Sequence, residues 1–147
     1  MILQYTTDDD LLAPRRATDG AAGYDLCSAE DVSIMPGHHW LVKTGVSVQL
    51  PENTAGLIWA RSGLALRNGM QVMGGVIDQD YRGEIGVILY NASIDVFNIM
   101  RGDRIAQLLI QPVFYPEAVK VNYLSSSRRA SDGFGSTGVS NIKPETD

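Results

Sequence analysis

The sequence predicts an all-β chain, and three observations carry that reading. Short apolar stretches recur with turn residues between them, apolar and polar residues alternate with period two where the pattern is clearest, and only one stretch carries helix start and stop signals. The alternation is plainest where Val46, Val48 and Leu50 are separated by Ser47 and Gln49, with Pro51-Glu52-Asn53 following as a turn. Residues 84–90 contain Ile85, Val87, Ile88 and Leu89; apolar on both faces, they read as a strand buried between two layers. Residues 105–113 and 119–123 are two further strands, with Pro112 and Pro116 bounding the turn between them. The helical exception starts at Ser62 as a cap, runs a turn or two to Arg67, and stops at Asn68-Gly69 in a left-handed turn. This spacing fits a β-sandwich, jelly roll or barrel.

A length of 147 residues fits one core, and a hydrophobic content of 44% is enough to build it. The single cysteine, Cys27, excludes an intrachain disulfide framework and a cysteine zinc cluster. No apolar run approaches a membrane span and residues 1–10 lack a signal-peptide pattern, so cytoplasm or nucleus is expected and no membrane partner. The net charge of −5 argues against generic nucleic-acid binding. Nine of the 12 basic residues are nevertheless arginine, and Arg61, Arg82, Arg101, Arg104 and Arg129 stand close to glycines. Guanidinium forks suit phosphate oxygens, so a small polyphosphate held locally fits this balance better than a long polyanion.

Composition shifts near Ser125: apolar residues become scarce and Ser, Gly, Asp and Arg dominate. The expected organisation is a β-domain over 1–124 and a flexible arm over 125–147. Phe134, alone among glycines, implies that the arm has a target.

Five segments carry candidate chemistry. In Ala21-Ala22-Gly23-Tyr24-Asp25-Leu26 a carboxylate opens a strand; taken alone, this segment is better explained by a local pairing of Asp25 with a backbone amide. In Ala60-Arg61-Ser62-Gly63-Leu64-Ala65 a helix start offers unpaired N–H groups, Arg61 adds charge and Gly63 allows close approach; an ordinary capped turn is the competing account. Gly74-Gly75-Val76-Ile77-Asp78-Gln79-Asp80-Tyr81-Arg82-Gly83-Glu84 is a polar hairpin whose backbone can read a flat base edge, and Asp78 is a candidate general base on water; an acidic hairpin whose aspartates bond their own turn is the competing account, stronger for Asp80. In Arg101-Gly102-Asp103-Arg104-Ile105-Ala106-Gln107-Leu108 the Gln107 amide needs a partner, whether phosphate, metal-bound water or backbone, and Asp103 with Arg104 reads as a charge pair. Arg129-Ala130-Ser131-Asp132-Gly133-Phe134-Gly135-Ser136-Thr137-Gly138 has the parts of a lid: glycines for motion, an aromatic to stack on a base, hydroxyls and an arginine for phosphates.

In that order and spacing, across residues 21–138, the five segments closely resemble the motifs of the trimeric dUTPase family. The resemblance implies a jelly-roll-like β-barrel assembled as a homotrimer with shared active sites, and hydrolysis of dUTP to dUMP and pyrophosphate with Mg²⁺. That activity limits uracil in DNA and supplies dUMP for thymidylate synthesis. It implies Asp78 as the base that readies the attacking water and Asp25 as a metal contact through water. Gly75, Val76, Ile77 and Tyr81 then form the uracil and deoxyribose slot, Arg61, Ser62, Gly63 and Gln107 face the phosphates, and Arg129, Phe134, Gly135 and Ser136 belong to the closing lid.

The chain departs from the family pattern at three places. Ala130 and Asp132 stand where the lid has glycines, and Ala60 stands where proline is common. Two rival readings share the fold: a dCTP deaminase-like enzyme, which needs a glutamate base directed at cytosine, and a non-catalytic nucleotide-sensing regulator, whose support is the altered lid.

Overall fold

The computed structural model describes residues 1–133. The chain divides after Tyr115 into two units, and among the described residues all regular strands belong to the first.

Ten strands and one α-helix follow in order: β1 (Gln4–Thr6), a 3-10 turn (Asp10–Leu12), β2 (Tyr24–Cys27), β3 (Val32–Ile34), β4 (His39–Gln49), β5 (Thr54–Trp59), α1 (Ser62–Asn68), β6 (Met70–Met73), β7 (Val76–Ile77), β8 (Glu84–Asn91), β9 (Phe97–Ile99) and β10 (Arg104–Pro112). They form two four-stranded sheets, ordered β1-β4-β8-β6 and β2-β10-β5-β7, with a two-stranded β3-β9 sheet beside them. Among the described residues all pairings are antiparallel, and no sheet closes on itself by hydrogen bonds. The expected mostly-β, jelly-roll-like architecture is present. Among the described residues no helix is long and apolar enough to cross a membrane.

Leu26, Val42, Val46, Ile58, Met70, Ile85, Val87, Leu89, Ile105 and Leu108 fill the core. Period-two burial in β4 places Val46 and Val48 inside, as the alternation predicts, and Leu50 is buried just past its end. The expectation for 84–90 needs correction. Ile85, Val87 and Leu89 are buried, but the other face of β8 is only half-buried; Leu41 of the neighbouring β4 reaches over Gly86 there.

Two further corrections concern local elements. Ser62 is not the cap of α1: Arg61 occupies the cap position in extended conformation without a side-chain hydrogen bond, and Ser62 is the first helical residue. The stop is as expected, with Gly69 left-handed at φ 63° and its N–H reaching the Ala65 and Leu64 carbonyls. No strand forms at 119–123: Val119, Val121 and Tyr123 are exposed and their backbone pairs with no other strand among the described residues. Alternating apolar residues make a strand only where a sheet edge is available to accept them.

Candidate active site

Gln107 is the hub of one cavity. In the middle of β10 it stands opposite Asp25 of β2 and Trp59 of β5, so the sheet register itself gathers three of the five segments. Its Nε2 donates to the Ala60 carbonyl at 3.1 Å, so that amide has a backbone partner. The strand before α1 ends at Trp59, and Arg61, Ser62 and Gly63 follow into the helix beside it. A cavity of about 250 Å³ results, lined by Asp25, Arg61, Ser62, Gly63 and Gln107 together with Ala17, Ala21, Gly23, Leu64 and Arg67.

Asp25 sits at its wall between two guanidiniums. Arg104 Nη1 donates to Oδ2 at 3.1 Å, and Arg61 Nε forms an ion pair with Oδ1 at 3.1 Å. Arg61 Nη1 also donates to the Arg104 carbonyl at 3.1 Å. The local pairing expected for Asp25 is thus with two guanidiniums rather than a backbone amide, and the expected Asp103–Arg104 pair is replaced: Asp103 instead accepts the Met100 N–H at 2.9 Å. On the adjacent β2 residue pair, burial raises the Cys27 thiol above its ordinary value, and the Asp25 carboxylate adds to that, with Arg104, Arg61 and Arg15 opposing.

The hairpin residues lie elsewhere: Gly74 and Gly75 border a hollow with Ile58, Trp59 and Ala60, whereas Ile77, Asp78 and Tyr81 border a groove. Gly74 and Gly75 have φ of 67° and 101°. Gly75 lies so close to β5 that a Cβ there would stand 2.8 Å from the Ile58 carbonyl oxygen, and that carbonyl's own residue donates its N–H to Gly75 O at 2.7 Å. Pinned in this way, β7 pairs Val76 with Leu57 and Ile77 with Gly56. The turn beyond is held by Tyr81 N–H to Asp78 O at 3.1 Å, by the Tyr81 hydroxyl to Glu84 O at 2.9 Å, and by Arg82 Nη1 to the carbonyls of Gln79 and Tyr81 at 2.7 and 2.8 Å. Gln79 Oε1 takes the Asn53 N–H at 2.9 Å and the Tyr115 hydroxyl at 3.3 Å. Val76, Ile77, Asp78 and Tyr81 then line an open groove of about 390 Å³, with Leu41, Lys43, Glu84 and Gly86. The Asp78 carboxylate is exposed and takes no hydrogen bond among the described residues, so it is available to a water.

Arg129 lies in the second unit, in a turn where Asp132 N–H bonds Arg129 O at 3.0 Å and Arg129 Nε bonds Asp132 O at 3.2 Å. Ala130 has φ of 44° there, a conformation that favours glycine. Phe134, Gly135 and Ser136 lie outside the described residues.

Sequence reasoning missed Arg67, Lys43 and Glu84. Arg67 was legible, since four residues after Gly63 on a helix puts it on the same face. Lys43 needed the β4–β8 register, in which it opposes Gly86. No cluster of three or more metal-ligating side chains occurs among the described residues. Asp25 keeps lone pairs free beyond its two arginines, so the site fits a divalent cation carried mainly by a ligand's oxygens and by water, touching the protein at one remove.

A dUTPase family model matches residues 9–138. The chain is 52% identical over 127 residues to the deoxyuridine 5'-triphosphate nucleotidohydrolase of Vaccinia virus (strain Copenhagen), covering 86% of each chain. It is 51% identical to that of Variola virus, again covering 86% of each. Among solved structures, a mutant dUTPase of Staphylococcus bacteriophage 80alpha with dUpNHpp superposes with a TM-score of 0.87 at 32% identity, over 94% of this chain and 99% of that one. A mutant dUTPase from phage phi11 of S. aureus, described with a structural Mg(II) ion, gives 0.79 at 29% identity, over 86% and 100%. With its fold, its two cavities and these relatives in agreement, the chain belongs to the dUTPase family.

Proposed function

We propose that the protein is a dUTP pyrophosphatase that converts dUTP and water to dUMP and pyrophosphate. The observation that carries this reading is that two cavities of distinct chemistry hold most of the motif residues of the first unit. One is a groove of hairpin backbone with Asp78 and Tyr81; the other is a polar cavity with Arg61, Ser62, Gly63 and Gln107.

In this reading the hairpin binds uracil through main-chain groups. Cytosine presents the opposite donor and acceptor pattern there and leaves buried groups unpaired, which discriminates strongly. Tyr81, tied to Glu84 O, packs against the deoxyribose and leaves no room for a 2′-hydroxyl. Rigidity of the β7 backbone excludes the methyl of thymine. Asp78 orients a water and takes its proton as the oxygen bonds to the α-phosphorus. The bond from that phosphorus to the bridging oxygen breaks, and its electron pair leaves with pyrophosphate. A positioned base contributes roughly 10²–10⁴-fold. Arg61, Ser62, Gly63 and Gln107 offset charge on the phosphates. Mg²⁺ is the proposed cofactor; when bound it neutralises the triphosphate oxygens and fixes their conformation. Asp25, already holding Arg61 and Arg104, would reach such a cation only through water.

The two cavities share no lining residue, which supports a homotrimer whose sites join the groove of one subunit to the polar cavity of another. The arm 125–147, with Arg129, Phe134, Gly135 and Ser136, is proposed as the lid over the site, and 1–124 as the domain that carries it. The free Cys27 supports a reducing compartment, cytoplasm or nucleus.

The test is pyrophosphate release from dUTP, dTTP, dCTP and UTP with and without Mg²⁺. Release from dUTP alone, dependent on the metal, is expected. Ammonia from dCTP would favour the deaminase reading, and inert binding of dUTP the sensor reading.

A further inference from the structure

We infer that Arg67, near the C-terminal end of α1, is a polyphosphate-binding residue of the polar cavity, an inference that rests on reading that cavity as the phosphate site. Arg67 lines the same cavity as Arg61, Ser62 and Gln107. Its guanidinium folds back over the first turn of the helix: a Cβ on Gly63 would stand 2.8 Å from one terminal nitrogen of Arg67 and 3.4 Å from its central carbon. Absence of a side chain at Gly63 is therefore what gives the guanidinium its place.

An ordinary structural role does not account for that place. A cation in the last turn of a helix is stabilised by the carbonyl end of the dipole, but this guanidinium points to the opposite, positive end. It forms no ion pair among the described residues. Asp25, the one carboxylate lining the cavity, is engaged through both oxygens by Arg61 and Arg104. Arg67 is exposed, so water solvates it in the free protein, and the cavity holds it beside Arg61 with no ion pair of its own among the described residues. A polyphosphate oxygen entering the cavity would take the place of that water. A planar fork bonds phosphate oxygens through two parallel N–H groups, which a neutral ligand cannot match in strength.

The experiment measures binding of inorganic pyrophosphate by calorimetry at several salt concentrations, alongside dUTP turnover, for the wild type, Arg67→Gln and Arg67→Lys. Arg67→Gln is expected to weaken pyrophosphate binding about tenfold or more, the effect of losing one charge-assisted contact, with a shallower salt dependence and most of the kinetic loss in KM. Arg67→Lys is expected to recover part of both, which a purely structural role for the side chain would not do. Equal pyrophosphate affinity in wild type and Arg67→Gln overturns the assignment, as does a wild type that does not bind pyrophosphate. Binding that depends on Arg67 in a protein that leaves dUTP intact would uphold the residue and remove the proposed activity. Turnover of dUTP with no dependence of binding on Arg67 would do the reverse.

Discussion

Asp25 Oδ1 and Arg61 Nε lie 3.1 Å apart, so the carboxylate holds the guanidinium by its inner nitrogen. Arg61 Nη1 is committed to the Arg104 carbonyl, and the other terminal nitrogen makes no hydrogen bond among the described residues. Asp25 is therefore a positioning residue for Arg61, whatever it also contributes to a cation. Asp25→Asn keeps the shape and removes the charge. Expected is a fall in kcat/KM for dUTP of about tenfold, dominated by KM. The loss of stability should be only about 1 kcal/mol, because Arg104 is half exposed to solvent and screened. Steady-state kinetics and urea unfolding on the same preparations check both parts.

Asp78→Asn is expected to remove turnover by roughly 10²–10⁴-fold while dUTP still binds, since the hairpin backbone is untouched. Equilibrium binding of a non-hydrolysable dUTP analogue, next to a pyrophosphate-release assay, separates the two. Wild-type turnover by this variant would remove Asp78 from its role as base.

Gly75→Ala sets a methyl 2.8 Å from the Ile58 carbonyl oxygen at a φ of 101°. A cost of about 1–3 kcal/mol is expected, read as a lower denaturant midpoint. Discrimination of dUTP against dTTP should also fall, because β7 would no longer be pinned against β5. A variant with unchanged midpoint and unchanged discrimination would show that this close approach fixes nothing.

Cys27 has its thiol raised above 9.0, first by burial and then by the Asp25 charge. The folded chain therefore keeps a proton that the unfolded chain gives up as pH rises past that value. By linkage the associated stability is full below pH 9.0 and is lost as pH climbs through the folded value. The expected outcome is a steeper alkaline loss of stability in the wild type than in Cys27→Ala, measured by urea unfolding across that range. Slow modification by thiol reagents near neutral pH should accompany it.

Local signals carried the elements whose cause is local. Gly69 ends α1 because only a left-handed residue closes that turn, and the alternation at 46–50 is visible because one face of β4 is buried. The motif strings located Arg61, Asp78 and Gln107 but not what each one touches. Asp25 meets Arg104 from 79 residues away, a pairing set by the β2–β10 register and not by either neighbourhood. The apolar alternation at 119–123 misled for the same reason in reverse: it reports a strand-ready segment and says nothing of a partner.

The groove and the polar cavity have no wall in common, and that has a genetic reading. An Asp78→Asn chain and an Arg61→Ala chain, each inert by itself, would regain partial activity when assembled together, because some mixed sites would unite an intact base with an intact arginine. Co-refolding the two and assaying the mixture checks this, and a mixture as inert as its parents would mean that each subunit builds its site alone.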